Sequence, residues 1–212
     1  KVFKHYIFST EFVEALLTLD KLVKEGKRFT PPLKNLFKAF EECKYDDLKV
    51  VIIGQDPYPQ LGVADGIAFS CSQVDKPQPS LRYIFDELKN QYTAFRTNDL
   101  LYNPLDLKRW SNQGILMLNT ALTCEVNNIG SHYDIWKTFT AHLLTYLNDN
   151  YTGIIYVFMG KKAESWSDLI SDEFNYKINV SHPASAAYKG GKWDSKNLFK
   201  EINKIIYDNT KQ

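Results

Sequence analysis

Apolar positions follow two rhythms along this chain. Over residues 10–25, Phe12, Val13, Leu16, Leu17 and Val23 fall near one stripe. That spacing predicts a helix, which Gly26 would stop. Pro31-Pro32 is expected to open a second helix carrying Leu33, Leu36, Phe37 and Phe40. The rhythm then changes. Leu48 to Ile53 is a short, β-branched run closed by Gly54, which reads as a buried strand. Three similar runs follow, Ile115 to Leu118, Ile154 to Met159 and Tyr176 to Val180. Helical stripes separate them: Leu81, Ile84, Phe85 and Leu88, then Trp136, Phe139, Leu143 and Leu147, with Ser131 and Asp134 spaced as a capping box. A last helix is expected from about Asp194 to Tyr207, burying Leu198, Phe199, Ile202 and Ile205. Strands alternating with helices predict an α/β fold, a three-layer α/β/α arrangement around a four-stranded, mostly parallel sheet.

No repeat, linker or low-complexity stretch divides the 212 residues, so residues 1–212 read as one domain, with 1–29 a helical segment of it. Apolar residues at 44% and charged residues at 24% exclude a disordered or collagenous chain. No apolar run approaches the ~20 residues of a membrane span, and no secretory leader is expected at Lys1. The net charge of +1 excludes a grossly basic coat but allows a local basic face. Cys43, Cys71 and Cys124 form neither a CxxC pair nor a zinc pattern, and read as small buried hydrophobes of a reducing, cytoplasmic (or host-intracellular) protein. A monomer is expected.

In a parallel α/β sheet the ligand lies beyond the carboxyl ends of the strands. The first predicted strand is followed by Gly54-Gln55-Asp56-Pro57-Tyr58-Pro59. The second ends in Asn119-Thr120, the third in Gly160-Lys161-Lys162, and the fourth in Ser181-His182-Pro183. Taken singly, Asp56 could form a turn, Asn119 could cap one, and His182 could be an ordinary loop histidine. Four successive polar strand ends favour one site. Spacing alone leaves its chemistry open. An Asp and a His without a nucleophile elbow disfavour a triad esterase, and neither GxxxxGK[ST] nor GxGxxG occurs.

These segments resemble the main-branch uracil-DNA glycosylases. Gly54-Gln55-Asp56-Pro57-Tyr58 is similar to their water-activating motif, followed at the family's spacing by Gly66-Ile67-Ala68-Phe69-Ser70. Leu116 to Thr123 is similar to the uracil-reading strand, and Gly130-Ser131-His132, Trp136 and Phe139-Thr140 to the helix after it. His182-Pro183 and Tyr188-Lys189-Gly190 resemble the loop that enters DNA, and Pro79-Ser80-Leu81 extends the match. The resemblance covers roughly residues 30–206.

The resemblance implies hydrolysis of the N-glycosidic bond of deoxyuridine in single- or double-stranded DNA, on a nucleotide flipped out of the stack. Phe69 would stack on the uracil, and Asn119 would donate to O4 while accepting from N3–H. Cytosine would leave both amide groups unpaired. Tyr58 would fill the space beside C5 and exclude thymine, and Gln55 would supply a backbone contact. His182, acting neutral, would donate to O2 of the departing base, and Asp56 would orient water and steady the cationic sugar. Pro79, Ser80, Gly160, Lys161, Ser185, Tyr188 and Lys189 would meet the DNA. No metal or cofactor is implied, and a proteinaceous glycosylase inhibitor is an expected class of partner. Two further readings are a DNA-binding scaffold with a secondary glycosylase site and a glycosylase of broader base preference. The latter sits poorly with Tyr58 and Asn119.

This chain departs from the family pattern at identifiable places. Pro59 stands where a His follows the Tyr, and Asp65 precedes Gly66 in place of a His. The segment Ala184-Ser185-Ala186-Ala187-Tyr188 is one residue short and lacks the leucine that wedges into duplex DNA. Ala184 and Ala186 replace phosphate-gripping serines, and Lys161 replaces another. Tyr188 or the loop backbone is therefore expected at the wedge position. Lys189 and Lys192, which adjoin the loop, are expected to add phosphate contacts; Lys196, Lys200 and Lys204 continue their near-helical spacing, with Lys200 and Lys204 read as a solvated helix face.

Overall fold

The computed structural model describes residues 9–92, 105–188 and 190–211. Helix α1 (Thr10–Lys24) starts at Ser9, whose hydroxyl accepts from the Phe12 N–H at 3.2 Å. Its buried face is Phe12, Ala15 and Leu19, while Val13, Leu17 and Val23 are exposed. The expected stripe is thus displaced. Each residue turns the helix by about 100°, so Val13 and Leu17 fall one position off the face that Phe12 and Leu19 define. Strand β1 (Phe29–Thr30) follows. The helix expected from Pro31-Pro32 is broken into a 3-10 turn, Leu33–Asn35, and a short helix α2 (Lys38–Glu42).

Strand β2 (Val50–Gly54) is buried at every position. Helix α3 (Pro79–Gln91) carries Pro in its first turn and buries Leu81, Ile84 and Phe85 of the expected stripe. A short α4 (Lys108–Ser111) leads into β3 (Ile115–Asn119). Strand β4 (Cys124–Glu125) pairs antiparallel with β1 in a two-stranded ribbon. Helix α5 (Tyr133–Asn150) buries Trp136, Phe139, Leu143 and Leu147 as expected. The capping box is absent: His132 is the N-cap, without a side-chain cap bond, and the Ser131 hydroxyl instead accepts from Glu125 N–H at 2.8 Å. Strand β5 (Ile155–Met159), helix α6 (Lys161–Glu164) and strand β6 (Tyr176–Val180) follow. The last helix, α7 (Leu198–Asn209), begins four residues later than expected, because Lys196 and Asn197 take left-handed backbone angles ahead of it.

The four long strands lie in the order β3-β2-β5-β6, each parallel to its neighbour. The sheet is therefore wholly parallel, beyond the expected "mostly". Helices flank it in the expected three-layer arrangement. On α1, Phe12 packs its ring 6.2 Å from Trp136 and 5.8 Å from Phe139 of α5, and α3 packs against α7. All three cysteines are buried and free. Among the described residues no helix is long and apolar enough to cross a membrane. A sheet buried on both faces leaves its polar strand ends as the natural place for a ligand.

Candidate active site

The segments at the carboxyl ends of β2, β3 and β6 line a cavity of about 330 Å³, which β5 does not reach directly. Gln55, Asp56, Tyr58, Phe69, Asn119 and His182 all line it, as does Ser80 at the start of α3. Every residue assigned by resemblance to the base or the chemistry thus reaches one space. The register explains part of this, since Gly54 and Asn119 are paired neighbours at the ends of β2 and β3. A side chain at Gly54 would displace its neighbours: its Cβ would stand 2.6 Å from Asn119 Oδ1 and 3.2 Å from Phe69 Cε2. The strand-end backbone is locked as well. The Gln55 carbonyl accepts from Thr120 Oγ1 at 2.8 Å and from Ala121 N–H at 3.1 Å. With both lone pairs engaged, any backbone contact from Gln55 to a ligand has to come from its N–H.

Phe69 reaches the cavity from a turn in which its own φ is +64°. Non-glycine residues adopt such angles only when their surroundings hold them. Two contacts do so here. The Tyr58 hydroxyl donates to the Phe69 carbonyl at 3.0 Å. The fully buried Asp65 carboxylate accepts from Ser70 Oγ at 2.7 Å, Ser72 N–H at 3.1 Å and Ile67 N–H at 3.2 Å, with Lys38 Nζ at 3.4 Å. Asp65, noticed in the sequence only as a departure, is the hub of the turn that presents the aromatic ring.

His182 lies beside Phe69, their rings 6.1 Å apart and tilted by 43°. Burial holds its pKa below the ordinary imidazole value, so it is neutral at neutral pH. Its Nδ1 faces the Ala184 N–H at 3.3 Å. An N–H needs an acceptor, so the proton of the neutral ring belongs on Nε2. Gly160 makes this placement feasible: its φ is +95°, and a Cβ there would come within 2.8 Å of His182 Cβ.

Asp56 is half-buried. Its Oδ2 accepts from Gly130 N–H at 2.7 Å, and its Oδ1 from Gln55 Nε2 at 3.3 Å. Burial raises its pKa above the ordinary carboxyl value, while Gly130, Gln55 and Tyr133 oppose the rise. Gly130 and Tyr133 were not singled out for this carboxylate in the sequence, because they lie more than 70 residues away along the chain. Among the described residues no three His, Cys, Asp or Glu side chains are grouped to hold a metal ion.

The residues expected to meet DNA are spread around the rim. Pro79 is exposed beside Ser80. Gly160 backs His182, and Lys161 is exposed as the first residue of α6. Ser185 donates its N–H to the His182 carbonyl at 2.9 Å, and its hydroxyl is buried. Tyr188 ends the 3-10 segment Pro183–Tyr188 with 92% of its surface exposed. Lys189 lies outside the described residues. Lys192, Lys196, Lys200 and Lys204 are all exposed.

Comparison with known proteins matches this geometry. The family model described as the uracil DNA glycosylase superfamily matches residues 40–206. A uracil-DNA glycosylase of Mycoplasmopsis pulmonis is 37% identical over 183 residues, covering 86% of this chain and 80% of that protein. One from Actinobacillus succinogenes is 34% identical over 181 residues, covering 84% and 80%. Among solved structures, a mimivirus UNG variant in complex with UGI superposes with a TM-score of 0.75 at 31% identity, covering 86% of this chain and 68% of that one. The UNG of Nitratifractor salsuginis, at 20% identity and a TM-score of 0.62 over 94% of this chain and 93% of that one, shares the fold. A match running from α2 almost to the end of α7, together with relatives above 30% identity over most of their length, settles the matter: this chain belongs to the uracil-DNA glycosylase superfamily.

Proposed function

We propose that the strand-end cavity is where this enzyme removes uracil from DNA, with Asp56 and His182 on opposite sides of the bond that breaks. The nucleotide is swung out of the stack at a cost of a few kcal/mol, less where the base is mispaired. The uracil slides against Phe69, with its edge toward Asn119 and its C5 side toward Tyr58. The bond between the sugar C1′ and the base nitrogen breaks, and its electrons pass to the uracil ring. His182 Nε2–H then donates to the oxygen on which that charge gathers. A preorganised donor of this type is worth about 2.7–4 kcal/mol. Asp56 steadies the cationic sugar and orients the water whose oxygen bonds to C1′. Its raised pKa suits it to take the proton that water gives up. An abasic site and free uracil result.

The observation that carries this reading is the Nδ1 contact of His182 with Ala184 N–H, which leaves its only donor free for the cavity. The whole chain is read as a single glycosylase domain working on DNA inside a cell, and a protein inhibitor like the UGI bound to the mimivirus relative would compete for the same rim. Tyr188 and the lysines beside it supply the duplex contacts in place of the missing leucine.

The test is incubation with single-stranded oligonucleotides containing one uracil, with thymine and cytosine controls. Uracil alone should be released, and Asp56→Asn should lower the rate at least about 100-fold. Robust release by Asp56→Asn would sink the mechanism.

A further inference from the structure

The Asp56 carboxylate is gripped from its far side by a segment outside the strand-end motifs. Gly130 donates its N–H to Asp56 Oδ2 at 2.7 Å. Tyr133, the first residue of α5, donates its own N–H to the Gly130 carbonyl at 3.3 Å and lays its ring against that glycine. The fit is close: a methyl group at Gly130 would stand 2.9 Å from Tyr133 Cε2, and the glycine φ is +80°. The ring therefore backs the peptide that holds the carboxylate. Lys162 Nζ lies 5.7 Å from the centre of the ring.

The phenolic oxygen at the tip of this ring is sealed from solvent and has no partner at full hydrogen-bonding geometry. A buried hydroxyl left so is costly, and an ionised carboxylate is the strongest acceptor it could find. The groups it faces are the Asp56 carboxyl and the Gln55 amide. Burial and the Asp56 charge raise the phenol's pKa, so it keeps its proton and remains a donor.

We propose that Tyr133 is a positioning residue for excision: its hydroxyl turns onto the Asp56 carboxylate as a third donor, beside Gly130 N–H and the Gln55 amide. This rests on the reading of Asp56 as the group that orients water. The third donor fixes which oxygen lone pair is left for that water, and it favours the ionised carboxylate against burial. The other titratable groups around the pair do not replace it. The Cys124 thiol is pushed up to about 12 by burial and stays neutral. His182 is neutral across the cavity, and the Lys162 ammonium sits over the tyrosine ring.

The substitution Tyr133→Phe keeps the ring against Gly130 and removes only the hydroxyl. Single-turnover uracil excision by the full chain is followed from pH 4.5 to 8.5, with binding of the oligonucleotide measured in parallel. Losing a donor to the ionised form raises the Asp56 pKa, so the acidic limb of the profile should move to higher pH by about half to one unit. The rate well down the acidic limb should fall about three- to tenfold, and the rate on the plateau above it less than about twofold, with binding unchanged. A 13C NMR titration of the Asp56 carboxyl in both proteins should show the same upward displacement without substrate. A profile that superimposes on the wild type, or a loss equal at every pH, would overturn the assignment, since packing alone predicts one of those. A wild-type chain that releases no uracil would instead overturn the glycosylase reading beneath it.

Discussion

Gly54 offers a measurement of how tightly recognition is built. It ends β2 under the cavity floor, with a φ outside the left-handed region, so alanine there strains no backbone angle. The new Cβ would stand 2.6 Å from Asn119 Oδ1, where ordinary contact begins at 3.4 Å, so the amide must retreat by 0.8 Å. It can do so by swinging into the cavity, away from the position that pairs with both O4 and N3–H. Displacements near 1 Å at a reacting centre cost up to about 100-fold in rate. Two hydrogen bonds of about 1 kcal/mol each give a similar figure. We expect Gly54→Ala to lower kcat/KM on uracil DNA about 30- to 100-fold, or about 2–2.7 kcal/mol. Stability should move little, because alanine regains up to about 1 kcal/mol in a strand and the crowding falls on the Asn119 amide and, at 3.2 Å, the edge of the Phe69 ring. The thermal midpoint should stay within about 4 °C of the wild type. Single-turnover excision beside calorimetry decides the matter. Activity within threefold of wild type would refute the reasoning, as would a loss tracking a large fall in midpoint.

Four further outcomes are expected. Asp56 has its pKa raised in the folded chain, so the folded state holds that proton more tightly than the unfolded state does. Its stabilising contribution is therefore full below the ordinary carboxyl value and is lost as pH rises through the raised one. Asp56→Asn should accordingly raise the thermal midpoint at pH 7, with the gain fading toward pH 3.5, which a pH series of melts would show. Tyr58→Ala should open the C5 side and break the bond to the Phe69 carbonyl. Thymine release should become detectable while uracil release drops about tenfold, and an unchanged thymine blank would count against the exclusion role. Asp65→Ala takes the acceptor from the Ile67 and Ser72 N–H groups and leaves the Ser70 hydroxyl only the Leu105 carbonyl; it should cost about 2–3 kcal/mol in urea unfolding, with Asp65→Asn recovering part of it. Tyr188→Ala should lower activity on duplex uracil at least about threefold more than on single strands, and equal effects on both would remove it from the wedge position.

The strands and the cavity were legible because both follow from local rules. A β-branched run ended by glycine is a strand wherever it occurs, and parallel strands place Asp56, Asn119 and His182 at one edge without further information. Other features depended on partners remote in the chain. Val13 and Leu17 fit a helical stripe as well as Ala15 and Leu19 do, and only the docking of Phe12 on Trp136 and Phe139 selects between them. Ser131 and Asp134 have capping-box spacing, yet the Ser131 hydroxyl is claimed by the Glu125 N–H. The helix expected after Pro32 is interrupted before Lys38, while Gly66 just beyond β2 lies so near the Asn35 carbonyl that a Cβ could not fit between them. Gly130 stands in a segment that the resemblance marks, yet its bond to Asp56 comes only through the fold, and nothing along the chain marks Tyr133 as its neighbour.

The latch between His182 and Ala184 ties two jobs to one proton. A protonated imidazole has donors on both nitrogens, so the Ala184 N–H would then confront another N–H in place of a lone pair. Ala184 and Ser185 lie in the first turn of the segment Pro183–Tyr188. Acidification would consequently unfasten that segment and loosen the ring that carries the Nε2 donor, so on the proposed reading grip and cleavage would weaken together.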